Sequence, residues 1–202
     1  MALTVPAPDI GLRSLDATWT RARWEQLPDD GRRYEIVDGV LYVSSSPSLF
    51  HWWIQRQIVF FLAENVDRLG LGLTLWAPVG VFMPGCDPAQ PDILVVLNKD
   101  LHILRDRHVN GVPSLIVEIL SPSNAQQDTH IKRLAYARAE VPEYWVVRPS
   151  IRDVLVFAQP DKALGDYASS QLVPTDGELR SPTLNISTAI TGFFAGAPDT
   201  TL

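Results

Sequence analysis

The chain has 202 residues and a formal net charge of −6, from 17 Lys and Arg against 23 Asp and Glu, and 46% of its residues are hydrophobic. This balance excludes a generally polybasic nucleic-acid binder, whose affinity for phosphate depends on a basic surface, although it leaves room for a local basic groove. The composition is that of a globular chain that can bury a sizeable core, and we predict a single domain over 1–202.

The cysteine content and the N-terminal residues bear on the protein's location. The single cysteine, Cys86, rules out an intrachain disulfide and a thiolate zinc site. Residues 1–8 lack the features of a signal peptide, and no run of 18 apolar residues predicts a membrane span. We therefore expect a cytoplasmic protein with no membrane partner, and we expect about 1–15 to form a flexible tail.

The first predicted elements are a short helix and a β-hairpin. The helix is predicted from about Asp16 to Leu27. Two β-rich runs follow, Tyr34–Val37 and Val40–Val43, with Asp38-Gly39 between them. Because a type I′ turn needs positive φ at both central residues, an Asp-Gly pair in this position predicts a tight hairpin.

A long helix is predicted next. Ser46-Pro47 provide an N-cap and a first-turn proline, and the helix runs to about Arg68. Its apolar residues cover most of the circumference, which predicts a core element with a subunit interface on another side, and hence a homodimer. We expect Trp52 and Trp53 to lie in the core or at that interface.

The rest of the chain predicts buried strands around a second helix. That helix runs from about Gln126 to Ala139 and must end before Pro142. The runs Ile93–Leu97 and Leu115–Val117 are continuously apolar, as is typical of strands buried on both faces. The order of elements predicts an α/β (α+β) fold with a mixed sheet. The predicted strands cover 73–76, 79–83, 92–97, 114–120, 144–147, 154–157 and 168–173.

Two carboxylates stand at unusual positions in these strands. Asp92 opens one apolar run, and Glu118 lies inside Leu115–Leu120. Burying a carboxylate is costly unless it is paired or binds a cation, so two such residues on neighbouring strands indicate a shared site for Mg²⁺ or Mn²⁺. The alternatives for Glu118 are a structural salt bridge and a strand end that emerges into water.

The second helix carries a further polar face. Asp128, Lys132 and Tyr136 are spaced i, i+4, i+8 and therefore share one side of the helix. An Asp-Lys pair at this spacing is ordinarily a surface contact worth about 0.3–0.5 kcal/mol. Because the loop after Glu118 is short, Lys132 could instead reach the C-terminal end of that strand, where open α/β sheets bind ligands.

Five segments of the chain form a pattern in this order: Tyr34–Gly39, Pro91–Ile93, Val117–Ser123, the Asp128-x-x-x-Lys132-x-x-x-Tyr136 helix and Val141–Val147. The pattern resembles the Uma2 family of restriction-endonuclease-like proteins, within the PD-(D/E)XK nuclease superfamily. The resemblance implies a restriction-endonuclease-like core over about 24–157, with a mixed sheet flanked by helices. Residues 158–202 then form a C-terminal β-rich extension.

The resemblance also implies an activity and a set of site residues. The implied reaction is Mg²⁺- or Mn²⁺-dependent hydrolysis of phosphodiester bonds in DNA by an endonuclease. Asp92 and Glu118 would be catalytic metal ligands, with the backbone carbonyl of Ile119 as a further ligand. Leu120 stands where the superfamily has its lysine, and the resemblance assigns that role to Lys132 on the following helix.

Three further residues are supporting candidates. Glu35 either completes the acidic cluster or is an exposed strand residue. His51, which shares a helix face with Gln55, either approaches the cleft or is a packed histidine. Tyr136 lies on the face of Lys132. The candidates for phosphate contact are Arg32, Arg33, Arg56, Arg105, Arg107 and Arg133.

Two other functions use the same residues. One is a catalytically silent binding or interaction module that keeps the nuclease fold and an acidic pocket, which the acidic net charge favours. The other is a glycosidase with Asp92 and Glu118 as acid and base. We rank the glycosidase last, because sugar clefts present aromatic platforms and the sequence does not place the tryptophans around these acids.

Overall fold

The computed structural model describes residues 12–44, 46–121 and 127–197, with the backbone alone at 127 and 128. The helices within these ranges are α1 (Arg21–Trp24), α2 (Leu49–Leu62), α3 (Arg133–Arg138) and α4 (Thr191–Phe194). A π-helical turn (Ala63–Asp67) continues α2, a 3₁₀ segment spans Asn98–Ile103, and another π-helical segment (Gln127–Lys132) leads into α3. The strands are β1 (Leu12–Arg13), β2 (Arg33–Val37), β3 (Val40–Ser44), β4 (Gly72–Trp76), β5 (Gly80–Met83), β6 (Cys86–Ala89), β7 (Ile93–Leu97), β8 (His108–Asn110), β9 (Leu115–Ile119), β10 (Glu143–Arg148), β11 (Asp153–Asp161), β12 (Asp166–Val173), β13 (Glu178–Ser181) and β14 (Ile186–Ala189).

The strands form two six-stranded sheets and one hairpin. The first sheet has the order β1-β3-β2-β6-β5-β8, the second has the order β12-β11-β10-β9-β7-β4, and β13 pairs with β14. Both large sheets are mixed, since β5 and β8 are parallel in the first and β9 and β10 in the second. The predicted mixed α+β class is therefore confirmed, with its strands divided between two large sheets.

The second sheet forms the centre of the core. Every residue of β9 is buried, as are four of the five residues of β7, and apolar side chains pack on both faces of these strands. Leu94 and Ile116 face the cluster that contains Tyr136, while Val95 and Leu115 face the cluster that contains α2. Burial on both faces explains why these strands are continuously apolar.

The predicted hairpin and helices are present with shifted boundaries. Asp38 and Gly39 have φ values of 50° and 75°, as the type I′ turn between β2 and β3 requires. The long helix begins later than predicted, because its N-cap is Ser48, whose side chain accepts a hydrogen bond from the amide of His51. Only Arg21–Trp24 of the first predicted helix is α-helical.

The ends of the chain contribute strands to the sheets. Of the predicted tail, 1–11 lie outside the described residues, while β1 pairs with β3 at the edge of the first sheet. The predicted C-terminal extension contains the end of β11, all of β12, the β13–β14 hairpin and α4. No helix among the described residues is long and apolar enough to span a membrane.

The core prediction for Trp52 is wrong. Its side chain is 59% exposed. Helix α2 buries His51, Ile54, Gln55, Ile58 and Leu62, which recur at helical spacing on one face. Trp52 lies at the flank of this buried face, next to His51, and remains exposed.

The hairpin turn yields a test of stability. In Gly39→Ala, the new Cβ would overlap the backbone oxygen of Ala17, and the residue would keep a left-handed φ. Gly165 also has positive φ but nothing within 4 Å of an added Cβ, so Gly165→Ala isolates the conformational cost, about 1–2 kcal/mol. We expect Gly39→Ala to lower the free energy of unfolding by about 1–3 kcal/mol more than Gly165→Ala. Urea titrations measure both, and equal losses would contradict the overlap.

Candidate active site

Asp92 and Glu118 come together because β7 and β9 are neighbours. The antiparallel register pairs Ile93 with Val117, which makes Asp92 and Glu118 the next opposed positions at the end of the ladder. The backbone amide of Ile119 donates a hydrogen bond of 2.8 Å to Asp92 Oδ2. Both carboxylates are buried, with 2% of Asp92 and none of Glu118 exposed.

Lys132 reaches this pair from the helix that follows β9. Its Nζ donates hydrogen bonds to Glu118 Oε1 at 2.9 Å and to the two oxygens of Glu35 at 2.9 and 3.0 Å. The Tyr136 hydroxyl donates to the same Glu118 oxygen at 2.9 Å, so the predicted i, i+4 relation holds between Lys132 and Tyr136. Lys132 is fully buried, whereas an i, i+4 pair with Asp128 would ordinarily lie at the surface. The side chain of Asp128 lies outside the described residues.

Glu35 enters the cluster from the other large sheet. Strand β2 lies between β3 and β6, so Glu35 is 2% exposed and its interpretation as an exposed strand residue is wrong. Its Oε1 also accepts a 2.7 Å hydrogen bond from the amide of Gln90. Burial alone would raise the pKa of Glu35, but the ammonium of Lys132 and the guanidinium of Arg33 outweigh burial and lower it.

Asp92 is held by groups from three other elements. Arg33 of β2 donates to Oδ1 at 2.7 Å, and Nε2 of His51 on α2 lies 3.1 Å from Oδ2. The backbone oxygen of Asp92 accepts hydrogen bonds from the Gln55 side chain at 2.8 Å and from the Ala77 amide at 3.0 Å. Burial would raise the pKa of the Asp92 carboxyl, but Arg33, His51 and the Ile119 amide lower it well below its ordinary value.

Arg33 is the site residue that sequence reasoning missed, since it was named only as a possible phosphate contact. It lies 3.7 Å from Glu35 as well as bonding to Asp92, and burial would lower the pKa of its guanidinium, but these carboxylates raise it. The signal was the Arg33-x-Glu35 alternation, because residues i and i+2 of a strand share a face. If Glu35 points into the site, Arg33 two residues earlier on the same strand must point to the same side.

The carboxylate oxygens of the site are the type of ligand that a hard cation such as Mg²⁺ prefers. Three buried carboxylates, Glu35, Asp92 and Glu118, face two cationic side chains, Lys132 and Arg33, so a formal negative charge remains when His51 is neutral. Mg²⁺ needs only one or two carboxylates, because it keeps several water ligands. Among residues 12–44, 46–121 and 127–197, no group of three or more His, Cys, Asp or Glu side chains is arranged to hold a metal.

A cleft of about 470 Å³ opens beside Asp92. Arg33, His51 and Gln55 line it together with Asp92. Two exposed aromatic side chains, Trp52 and Trp76, also line it. The described part of the site thus has a buried ion cluster next to an accessible cavity.

The ion cluster predicts a strong effect of removing Lys132. In Lys132→Met, two buried carboxylates lose their cation, so we expect the free energy of unfolding at pH 7 to fall by about 3–5 kcal/mol. The loss should shrink as the pH is lowered from 7 towards 4. The lowered pKa of Glu35 stabilises the folded wild type at pH values above the ordinary value of 4.5, and this contribution is lost only as the pH falls below 4.5 through the lowered pKa. In the variant, the buried carboxylates that have lost the ammonium take up protons as the pH falls, and their burial then destabilises the variant less.

Lys162 provides the matched control for this measurement. It pairs with Glu140 at 2.8 Å, but 70% of its side chain is exposed. Lys162→Met should change the free energy of unfolding by no more than about 0.5 kcal/mol. Urea titrations at several pH values measure both variants, and a pH-independent loss for Lys132→Met would contradict the electrostatic account.

Comparisons with known proteins agree with this architecture. A solved structure described as a putative nuclease belonging to DUF820 from Anabaena variabilis is similar, with a TM-score of 0.72, 18% identity, and coverage of 87% of this chain and 97% of that chain. At this identity the likeness shows the fold alone. No curated protein matches the sequence. The family model Uma2, described as "Putative restriction endonuclease", matches residues 21–191, and the chain therefore belongs to the Uma2 family.

Proposed function

We propose that the protein is a divalent-metal-dependent endonuclease that hydrolyses phosphodiester bonds of DNA. The observation that carries the proposal is the buried contact of Lys132 with Glu118, opposite Asp92 on the neighbouring strand. An aspartate, an acidic residue and a lysine are the groups that the PD-(D/E)XK resemblance requires. Membership of the Uma2 family supports the same reaction class.

Each described residue has a physical role in this proposal. Asp92, Glu118 and the carbonyl of Ile119 would hold Mg²⁺ or Mn²⁺, which when bound lowers the pKa of water and offsets charge on the phosphate. Lys132 supplies a compact positive charge beside Glu118 for the attacking water or the phosphate oxygens. Glu35 and Tyr136 position Lys132 and Glu118 through hydrogen bonds.

The electrostatic environment keeps Asp92 available as an anion. Arg33, His51 and the Ile119 amide stabilise the charged carboxylate, whose pKa is lowered despite burial. Of the six arginines considered for phosphate contact, Arg32 and Arg33 line the cleft. Arg33 is already bonded to Asp92, which leaves Arg32 as the arginine best placed to meet phosphate.

A catalytically silent binding module is the second candidate. The observation that favours it is the extent of internal bonding, since Arg33 and Lys132 already bind oxygens that a metal would need. The glycosidase candidate fits less well. Its general acid needs a raised pKa, whereas the pKa of Asp92 is lowered and Glu118 is bonded to Lys132.

Cleavage assays with Mn²⁺ or Mg²⁺ test the nuclease proposal. We expect wild-type protein to cut DNA, and Asp92→Ala, Glu118→Gln and Lys132→Ala each to lower the rate by about 100-fold or more. Calorimetry should detect Mn²⁺ binding that Glu118→Gln abolishes. Circular dichroism checks that each variant is folded.

Lys162→Met serves as the control for activity, because Lys162 lies at the surface. It should cut DNA at the wild-type rate. Unchanged activity in all three site variants would refute the assigned residues. The absence of both cleavage and Mn²⁺ binding in folded wild-type protein would favour the silent binding module.

We also propose that the protein acts as a homodimer through the β4 edge of the second sheet. Strand β4 is an outer strand, and the exposed apolar residues Leu69, Leu71 and Leu73 lie on it or just before it. Exposed apolar side chains on and beside the outer strand of a sheet are suited to burial against a second copy.

Light scattering coupled to size-exclusion chromatography tests the dimer. We expect wild-type protein at twice the mass of the chain, and Leu73→Lys as a monomer because a buried charge would oppose the interface. Leu172→Lys is the matched control, since Leu172 is exposed on β12 at the opposite edge of the same sheet. A dimer lost in Leu172→Lys but kept in Leu73→Lys would contradict the β4 interface.

A further inference from the structure

Two exposed tryptophans line the cleft beside Asp92. Trp52 follows His51, whose ring contacts the Asp92 carboxylate, and Trp76 precedes Ala77, whose amide donates to the Asp92 carbonyl. Their side chains are 59% and 54% exposed, and both line the 470 Å³ cleft. Packing does not account for so much exposed indole surface on two different elements beside one buried carboxylate.

The cleft has few cationic side chains that could contact the phosphates of double-stranded DNA. Arg33 is bonded to Asp92, and Arg32 is 3.7 Å from Asp30. Asp29 also lines the cleft, and the whole chain has a net charge of −6. Affinity for a duplex depends mainly on cationic contacts to phosphate, so this cleft is poorly suited to it. Aromatic stacking can provide affinity without such contacts.

One residue of the cleft wall, His51, has a buried ring nitrogen without a hydrogen-bond partner within the described residues. An ionised carboxylate only accepts hydrogen bonds, so His51 Nε2 donates to Asp92. The other ring nitrogen, Nδ1, is buried and has no hydrogen-bond partner within the described residues. His51 lines the cleft next to Trp52, so one wall combines an exposed aromatic surface with a polar side chain.

We propose that this cleft binds an unpaired nucleotide, with its base stacked on Trp52 or Trp76, and that the preferred substrate is DNA with an unpaired strand. The faces of the bases are covered by neighbouring bases in a duplex and become accessible when a strand is unpaired. The part of this inference that concerns cleavage rests on the proposed nuclease function. The binding step itself can be measured without cleavage.

Fluorescence anisotropy tests strand preference in Ca²⁺, which is used in place of Mg²⁺ or Mn²⁺ to limit turnover. The probes are a fluorescein-labelled 12-nucleotide single strand and the duplex of the same sequence. We expect the single strand to bind at least tenfold more tightly. Trp52→Ala and Trp76→Ala should each weaken single-strand binding by about five- to a hundredfold, with little effect on the duplex.

A stacking signal separates direct contact from a structural effect. A strand that contains 2-aminopurine should lose fluorescence on binding to wild type, and Trp52→Phe should largely retain the quenching because it keeps an aromatic face. Phe60→Ala is the control: Phe60 is 52% exposed on the same helix but does not line the cleft. This variant should bind the single strand as tightly as wild type.

The outcomes for the substrate and for the nuclease are distinguishable. Equal affinities for single strand and duplex, or Trp52→Ala and Trp76→Ala variants with wild-type affinity, would overturn the stacking proposal even if Mn²⁺-dependent cleavage requires Asp92. Tryptophan-dependent binding without any cleavage would support stacking and reject the nuclease. Saturable binding of a hexasaccharide that Trp52→Ala abolishes, without oligonucleotide binding, would also overturn the proposal.

Discussion

The buried ammonium of Lys132 is the interaction on which the site depends. It joins Glu35 of the first sheet to Glu118 of the second, and the lysine belongs to the helical segment between β9 and β10. A charge with no exposed surface is stable only when its partners are in place, so this contact couples the two sheets and the helix. The same contact stabilises the charged form of Glu35.

Asp92 connects the remaining elements in a similar way. Its side chain is bonded to β2 through Arg33, to α2 through His51 and to β9 through the Ile119 amide. Its backbone oxygen accepts hydrogen bonds from the Gln55 side chain and from the amide of Ala77, the residue that follows β4. A metal ion held by Asp92 and Glu118, as we propose, would compete with Arg33 and Lys132 for oxygens, and its affinity would then be linked to the stability of the ion cluster.

The same network gives the cleft its position. His51 and Ala77 are fixed by Asp92, and the neighbouring residues in the chain, Trp52 and Trp76, remain exposed beside it. The proposed contacts to an unpaired base therefore lie within one residue of groups that bond to Asp92, His51 to its carboxylate and Ala77 to its backbone oxygen. Binding of the strand and the orientation of Asp92 are then physically coupled, because α2 and the end of β4 contribute to both.

The sequence was enough to predict the hairpin, the buried strands and the mixed sheet. The turn depends only on the backbone conformation of the adjacent residues Asp38 and Gly39, and each buried strand is recognised from a continuous run of apolar residues. It also singled out Asp92 and Glu118, since a carboxylate in an apolar strand is costly without a partner. The tertiary structure alone decided that Glu35 is buried, that Arg33 binds Asp92 and that Trp52 is exposed. Each of these depends on which strand or helix packs alongside, and such contacts join residues distant in the chain, such as Arg33 and Asp92.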